Sequence, residues 1–497
     1  GVPSHANRWL LQDLLRGEWG YKGMVVSDYY GVDHLFNKHF VCNDATEAAM
    51  TAFNCGVQYE FPQANMYRVL PELLRKKKIK REDIDKAVEQ VLTFKFNLGL
   101  FENPYVDEKQ AISVSKSLMH KKTALKAAHE SVVLLKNDGL LPLKKGKYKK
   151  IAVIGPCAKD LWFGGYSGEP YEKVSLIDGI RARAGNGTEV LFAQGCRLTI
   201  NTTVSYFNWK YDEIKFASRD ENLKLIREAV RVASGADLVI LALGENEHLC
   251  REAWAQNHIG DNMTLDLFGE QGELADAITA LGKPVVLYLM NGRPLSINTL
   301  AEKVPAILEG WYMGQETGTA AADIIFGEVN PSGKLTITFP KSAGQLPMYY
   351  NHKPSAQWQD YISQDVKPLF SFGYGLSYTR FTYGPPVLKK KTIKKGETAR
   401  VTVEVKNAGK IQGDEIVQLY IRDVVSTVTR PVKELRGFAR ISLKPGETRK
   451  VSFDITPDKL AFHNIDMKFV VEPGSFEIMT GSSSRDADLQ KTILTVV

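Results

Sequence analysis

The strongest constraint on the fold is a row of short apolar runs in the middle of the chain, at residues 151–154, 190–192, 238–243, 285–289 and 306–308. Helical patterns lie between them at 223–232, 274–281 and 319–325. A strand apolar on both faces has to be covered on both faces, so this alternation specifies an open, mostly parallel sheet with helices on either side. In such sheets the ligand crevice lies beyond the carboxyl ends of the strands. The residues after the 238–243 run, Gly244-Glu245-Asn246-Glu247, therefore belong to a loop that lines the crevice.

The chain changes character on either side of this region. From about Leu376 the runs shorten and alternate, at 401–406, 416–421, 449–455 and 474–479, divided by turns such as Asn407-Ala408-Gly409-Lys410 and Lys444-Pro445-Gly446-Glu447. Roughly 120 residues of this pattern predict an immunoglobulin-like or fibronectin type III sandwich. At the other end the grammar is that of βα units: a strand through Met24-Val25-Val26-Ser27-Asp28-Tyr29, a helix over 45–54 and a strand over 57–61. A helix with Ile84, Val88, Val91 and Leu92 on one stripe follows, stopped by Gly99. A complete (β/α)8 barrel takes about 250 residues, so a segment of roughly 100 holds only its last two or three units. The expected fold is multidomain α/β. It has a partial barrel over 1–104, a helical linker over 105–123, an α/β sandwich over 124–345, a connecting segment over 346–375 and a β-sandwich over 376–497.

Asp28 ends the first strand, just after Gly20-Tyr21-Lys22-Gly23. A carboxylate there points into the mouth of a β/α barrel, where enzymes of that architecture do their chemistry. The competing reading is an N-cap for the next helix.

Composition removes several other classes. The formal charge of +7 suggests nucleic acid, but the basic residues fall into separate short runs at 75–78, 144–150 and 389–395, and a single aromatic, Tyr148, lies within them. Such runs are solvated edges and turns, so nucleic acid is not an expected partner. No apolar stretch approaches the ~20 residues of a membrane span. Five scattered cysteines, Cys42, Cys55, Cys157, Cys196 and Cys250, form no CxxC pair, which argues against a disulfide framework and against zinc. Neither they nor the first residues, which contain no signal peptide, settle the compartment. The sequons at Asn186, Asn201 and Asn262 are short patterns that arise by chance.

Gly1-Val2-Pro3-Ser4-His5-Ala6-Asn7, then Leu14-Leu15-Arg16-Gly17-Glu18-Trp19-Gly20-Tyr21-Lys22-Gly23, then Val25-Val26-Ser27-Asp28 resembles glycoside hydrolase family 3. The resemblance continues in order through Asn291-Gly292-Arg293-Pro294, Gly310-Trp311-Tyr312-Met313-Gly314-Gln315, Asn330-Pro331-Ser332-Gly333-Lys334 and Phe372-Gly373-Tyr374-Gly375-Leu376-Ser377-Tyr378. These later words read as tight structural turns. The resemblance implies that Asp28 is the nucleophile of a retaining β-glycosidase.

Retaining hydrolysis needs a second carboxyl group about 5–5.5 Å from the first, to protonate the leaving oxygen and then activate water. The richest stretch runs from Gly244 through Glu252-Ala253-Trp254 to Leu265-Asp266-Leu267. It is long, polar and acidic, and long loops in compact domains are usually functional or disordered. Trp254 favours function, because an aromatic beside an acid stacks on sugar and desolvates the carboxyl. The family pattern of Arg-Glu-Ala followed by Asp, Leu and Gly-x-Gln falls on Glu252, with Glu247 and Glu245 as alternatives. Their competing role is a loop carboxylate bound to backbone N–H groups or a lysine. Trp358 and Tyr361 are candidates to stack a leaving-group sugar, against the plainer role of anchoring a loop.

Two departures from the family stand out. Tyr29 occupies a position where the family often has Trp. The residues that grip the non-reducing sugar in the family precede the position of Gly1, so a truncated product with impaired activity is expected, with a second polypeptide supplying the missing strands as the alternative. The resemblance implies a β-glucosidase-type exo-glycosidase that acts on small oligosaccharides and β-glucosides and requires no cofactor. β-Xylosidase or mixed activity stays open, as does homo-oligomerisation. The reading from another class is a non-catalytic carbohydrate-binding or structural fragment.

Overall fold

The computed structural model describes residues 1–168, 170–200, 214–253, 259–354 and 360–497. The chain forms two compact units, Gly1–Ser115 and Lys116–Val497.

In the first unit, strands β1 (Val26–Tyr29) and β2 (Tyr59–Phe61) pair in parallel, with Val26 opposite Tyr59 and Tyr29 opposite Phe61. The helix Ala45–Cys55 connects them. The Asp44 side chain accepts from the Glu47 N–H at its start, and Gly56 ends it with φ 98°, a left-handed conformation that favours glycine. Its Ala48, Ala52 and Cys55 pack with Leu11, Val32, Leu35 and Val57. The family-like word around Arg16 has a local purpose: the guanidinium donates to the Gly23 carbonyl (3.0 Å) and to Gln58 Oε1 (3.1 Å), which also accepts from Val25 N (2.7 Å). That bridge sets the start of β1 against β2. The expected barrel portion thus contains two strands, each shorter than the apolar run that announced it. The helix Arg81–Asn97 forms where the stripe predicts it, yet none of its residues is buried. Val88 and Leu92 remain exposed, as do Phe94 and Phe96.

The second unit begins with a six-stranded sheet. Its strands are β3 (Val133–Asn137), β4 (Lys150–Ile154), β5 (Glu189–Ala193), β6 (Leu238–Gly244), β7 (Val285–Met290) and β8 (Ala306–Glu309), in the order β3-β8-β7-β6-β4-β5. All neighbours are parallel except the β3–β8 pair. Successive residues feed opposite faces: Ile240, Val286 and Leu308 join a core with the helices Leu176–Arg183 and Thr317–Ile325, while Leu241, Leu287 and Ile307 join one with Arg219–Ser234 and Gln271–Thr279. Double-sided burial is why these runs are continuously apolar.

The remainder is a β-sandwich. One sheet pairs Ala399–Asn407 with Thr448–Ile455, and the other runs Thr392–Ile393, Leu489–Val496, Gly474–Gly481, Gly413–Asp423, Glu434–Leu443. Val401, Val403 and Val405 meet Val417, Leu419 and Ile421 in the core between them. The Phe372–Tyr378 word joins sandwich to α/β sheet. Leu376 N donates to Leu134 O (2.8 Å), Gln418 Nε2 donates to Gly373 O (3.0 Å), and Asn330 Oδ1 accepts from Tyr378 N (2.8 Å).

Glu309, the last residue of β8, is fully buried. Its carboxyl accepts from Trp311 N (2.9 Å) and Asn291 Nδ2 (3.2 Å), which ties two of the family-like words together. Burial pushes its carboxyl up to about 8. A carboxyl raised in the folded state stabilises the fold below its unfolded value near 4.5, and that contribution is lost as pH climbs toward 8, by up to roughly 5 kcal/mol. We expect Glu309→Gln to remove this slope. Unfolding midpoints of the two proteins at pH 5, 7 and 9 check it: the variant gains on the parent as pH rises, and a constant gap would exclude Glu309 as the titrating group.

Candidate active site

Asp28 sits near the carboxyl end of β1, exposed, in a tightly specified backbone. Its Oδ1 accepts from Tyr29 N (2.7 Å), its carbonyl accepts from Gly31 N (3.0 Å), and its own N–H donates to His5 Nε2 (3.1 Å). The neighbour Ser27 is buried; its hydroxyl accepts from Phe61 N (2.8 Å) and donates to Asp28 O (2.8 Å). Asp28 therefore caps no helix: its side chain accepts from the next N–H along the strand. Tyr29 is 50% exposed, and its ring lies parallel to that of Phe61, 6.0 Å away. An exposed aromatic face of this kind suits a sugar ring. On β2 the buried Glu60 accepts from Met66 N and Tyr67 N, and burial raises its carboxyl. It holds the next turn and does not join Asp28.

In the second unit the loop after β6 is anchored at its root. Gly244 has φ 149°, and a Cβ there would lie 1.9 Å from Met290 O, so only glycine fits between β6 and β7. The Gln271 amide brackets this residue, accepting from Gly244 N and donating to Gly244 O, both at 2.9 Å. Glu245 is wholly buried and paired bidentately with Arg293, Nε to Oε2 at 2.9 Å and Nη2 to Oε1 at 2.7 Å. Arg293 also donates to Thr264 O (2.8 Å), so one guanidinium clasps both limbs of the loop. Cys250 Sγ meets Tyr312 OH at 3.1 Å, and burial pushes this thiol up to about 11. Arg251 Nε donates to Ile259 O (3.0 Å), closing the loop's neck. Glu247 is buried, whereas Glu252 is exposed. Of the other candidates, Tyr361 lies in this unit, partly exposed, with its hydroxyl donating to Gly344 O (3.3 Å). Trp254 and Trp358 lie outside the described residues.

Residues 1–94 match the glycosyl hydrolase family 3 N terminal domain, 132–378 the family 3 C-terminal domain, and 415–484 a fibronectin type III-like domain. A β-xylosidase of Formosa agariphila is 41% identical over all of this chain and 68% of its own length. The chain belongs to glycosyl hydrolase family 3. A periplasmic β-glucosidase of Salmonella typhimurium is 39% identical across 97% of the chain and 65% of the relative. Among solved structures, a β-glucosidase from Erythrobacter marinus superposes with a TM-score of 0.94 at 42% identity, covering 100% of this chain and 66% of that one. A Listeria innocua β-glucosidase in complex with glucose gives 0.85 at 32%, again over 100% of this chain and 66% of that one. The chain thus spans about two-thirds of the length of the relatives it matches.

Three residues with structural work beside these candidates, one in the first unit and two in the second, escaped the sequence reading: His5, Gln271 and Arg293. Each stood inside a quoted word or pattern, but its partner lies 23, 27 and 48 residues away in sequence. Arg293 carries a prediction. Replacing it with Met leaves the Glu245 carboxylate buried without its counter-charge, a change that costs about 3–5 kcal/mol. Urea unfolding of Arg293→Met reads the loss, and adding Glu245→Gln recovers much of it.

Proposed function

We propose that this protein is a retaining, exo-acting β-glycosidase of the β-glucosidase type. Asp28 attacks the anomeric carbon of a terminal β-D-glucosyl residue while the bond to the leaving oxygen breaks and Glu252 protonates that oxygen. Glu252 then takes a proton from water, whose oxygen displaces Asp28 and returns the sugar in its original configuration. The observation that carries the reading is the placement of Asp28: a strand-end carboxylate, exposed, with its backbone held on both sides by His5 and Gly31. Glu245 does not suit the acid/base role, since Arg293 engages both its oxygens. Glu252 lies on the anchored loop at an exposed position.

The β-xylosidase reading has a specific support of its own, because relatives at 41% and 39% identity carry that name. Hydrolysis of p-nitrophenyl β-glucoside and β-xyloside by the 497-residue chain separates the two. NMR of the first-formed sugar tests stereochemistry: β-anomer is expected, and α-anomer would overturn double displacement. Absence of turnover on both glycosides would leave the non-catalytic reading.

A further inference from the structure

We propose that His5 is a positioning residue for Asp28: its neutral imidazole accepts the Asp28 N–H through Nε2 and fixes the strand end that presents the carboxylate, and protonation of the ring releases that hold. The inference rests on Asp28 being the nucleophile.

The geometry traps the ring. Nε2 lies 3.1 Å from Asp28 N, and a ring nitrogen accepts an N–H only while it keeps its lone pair, so Nδ1 carries the proton. The ring also fills the space beside Gly31 in the turn that follows. A Cβ on Gly31 would lie 2.4 Å from His5 Cε1 and 2.6 Å from Nε2. The same turn is closed by Gly31 N donating to Asp28 O. His5 thus touches both ends of the Asp28–Gly31 bend. Its own turn, Ser4–Ala6, is held by Ala6 N donating to Pro3 O (2.9 Å) and by Ala6 packing on the core that includes Ala48 and Ala52.

The surroundings favour the neutral ring. Burial depresses the His5 basicity most. Asp28 opposes this, and His34 and His39 add to it. His34 is itself depressed, by burial first and then by Lys38 and His39, against Asp33 and Asp28. The helix Ala45–Cys55 brings one charged side chain, Glu47, which is engaged by the N–H and amide of Asn43. Acidification would therefore charge His5 below the ordinary histidine range, convert Nε2 from acceptor to donor, and set it against the Asp28 N–H.

The sequence supplies a clean probe. Ser27-Asp28 is the only Ser-Asp pair in the chain, so serine labelled with 13C at its carbonyl and aspartate labelled with 15N mark that one peptide bond. We expect the Asp28 amide resonance of the full chain to move in a single step between pH 8 and 5, with its midpoint below the ordinary histidine value. His5→Gln offers an amide oxygen that accepts without titrating. It should abolish that step, keep kcat within several-fold and move the acidic limb of kcat/KM. His5→Ala should lower kcat roughly 10–100-fold, the scale of a misplaced reacting group. An amide step that survives in His5→Gln at the same midpoint, or a His5→Ala variant with unchanged resonance and unchanged kcat, would overturn the proposal. Failure of the nucleophile assignment is read separately: Asp28→Asn would then turn over normally while the amide step of the parent still reports the His5 bond.

Discussion

Asp28→Asn lowers kcat on aryl β-glycosides by on the order of 10⁴-fold or more, while thermal stability stays within about 0.5 kcal/mol of the parent. The two halves of this result follow from different atoms. The bond that shapes the strand end, Tyr29 N to Asp28 Oδ1 at 2.7 Å, survives in asparagine, whose Oδ1 accepts equally well. The bond from Asp28 N to His5 does not involve the side chain at all. What disappears is the anionic oxygen that attacks the anomeric carbon in the proposed mechanism. Asp28→Ala supplies a positive test of the role: azide added to it attacks the β-glycoside directly, and a single displacement yields the α-glycosyl azide. Turnover by Asp28→Asn at a rate near the parent's would remove Asp28 from the reaction.

How much of this was legible in the sequence depends on the range over which each signal acts. The run at 238–243 is apolar at every position because β6 is covered on both faces, so the strand and its double burial are written locally. The stretch Val133–Asn137 is equally apolar at its start. It follows the helix Leu118–Ser131 with only Val132 between, and pairs antiparallel with β8, so nothing in its neighbourhood marks it as an edge of the same sheet. The periodicity of 84–92 specifies a helix correctly, but periodicity names a face and not what covers it. The helix Arg81–Asn97 buries no residue. The loop after β6 illustrates the same limit for chemistry. In sequence the family-like pattern singles out Glu252 with Glu247 and Glu245 as alternatives, and what the sequence leaves hidden is Arg293, 48 residues away, which occupies Glu245. His5 was visible as a letter in a family-like word, but its function is a backbone contact, which side-chain chemistry alone does not suggest.

Glu252→Gln lowers turnover in a way that depends on the leaving group, and this dependence assigns the role. A general acid contributes roughly 10²–10⁴-fold where the departing oxygen is basic. The expected loss is therefore large for cellobiose or an alkyl β-glucoside. For 2,4-dinitrophenyl β-glucoside, whose phenolate departs without a proton, formation of the glycosyl-enzyme stays fast and its hydrolysis becomes slow, so a burst of dinitrophenol precedes the steady state. The smaller Glu252→Ala variant leaves room for azide to attack the accumulated intermediate. Because that intermediate is α-linked to Asp28, a second inversion gives the β-glycosyl azide, opposite to the product expected from Asp28→Ala. The same pair of measurements on Glu247→Gln provides the contrast. A carboxyl buried near the loop's root affects stability and all leaving groups alike, while the group that transfers the proton separates good leaving groups from poor ones. Equal losses on both substrates in Glu252→Gln, with the leaving-group dependence appearing in Glu247→Gln, would move the acid/base assignment to Glu247.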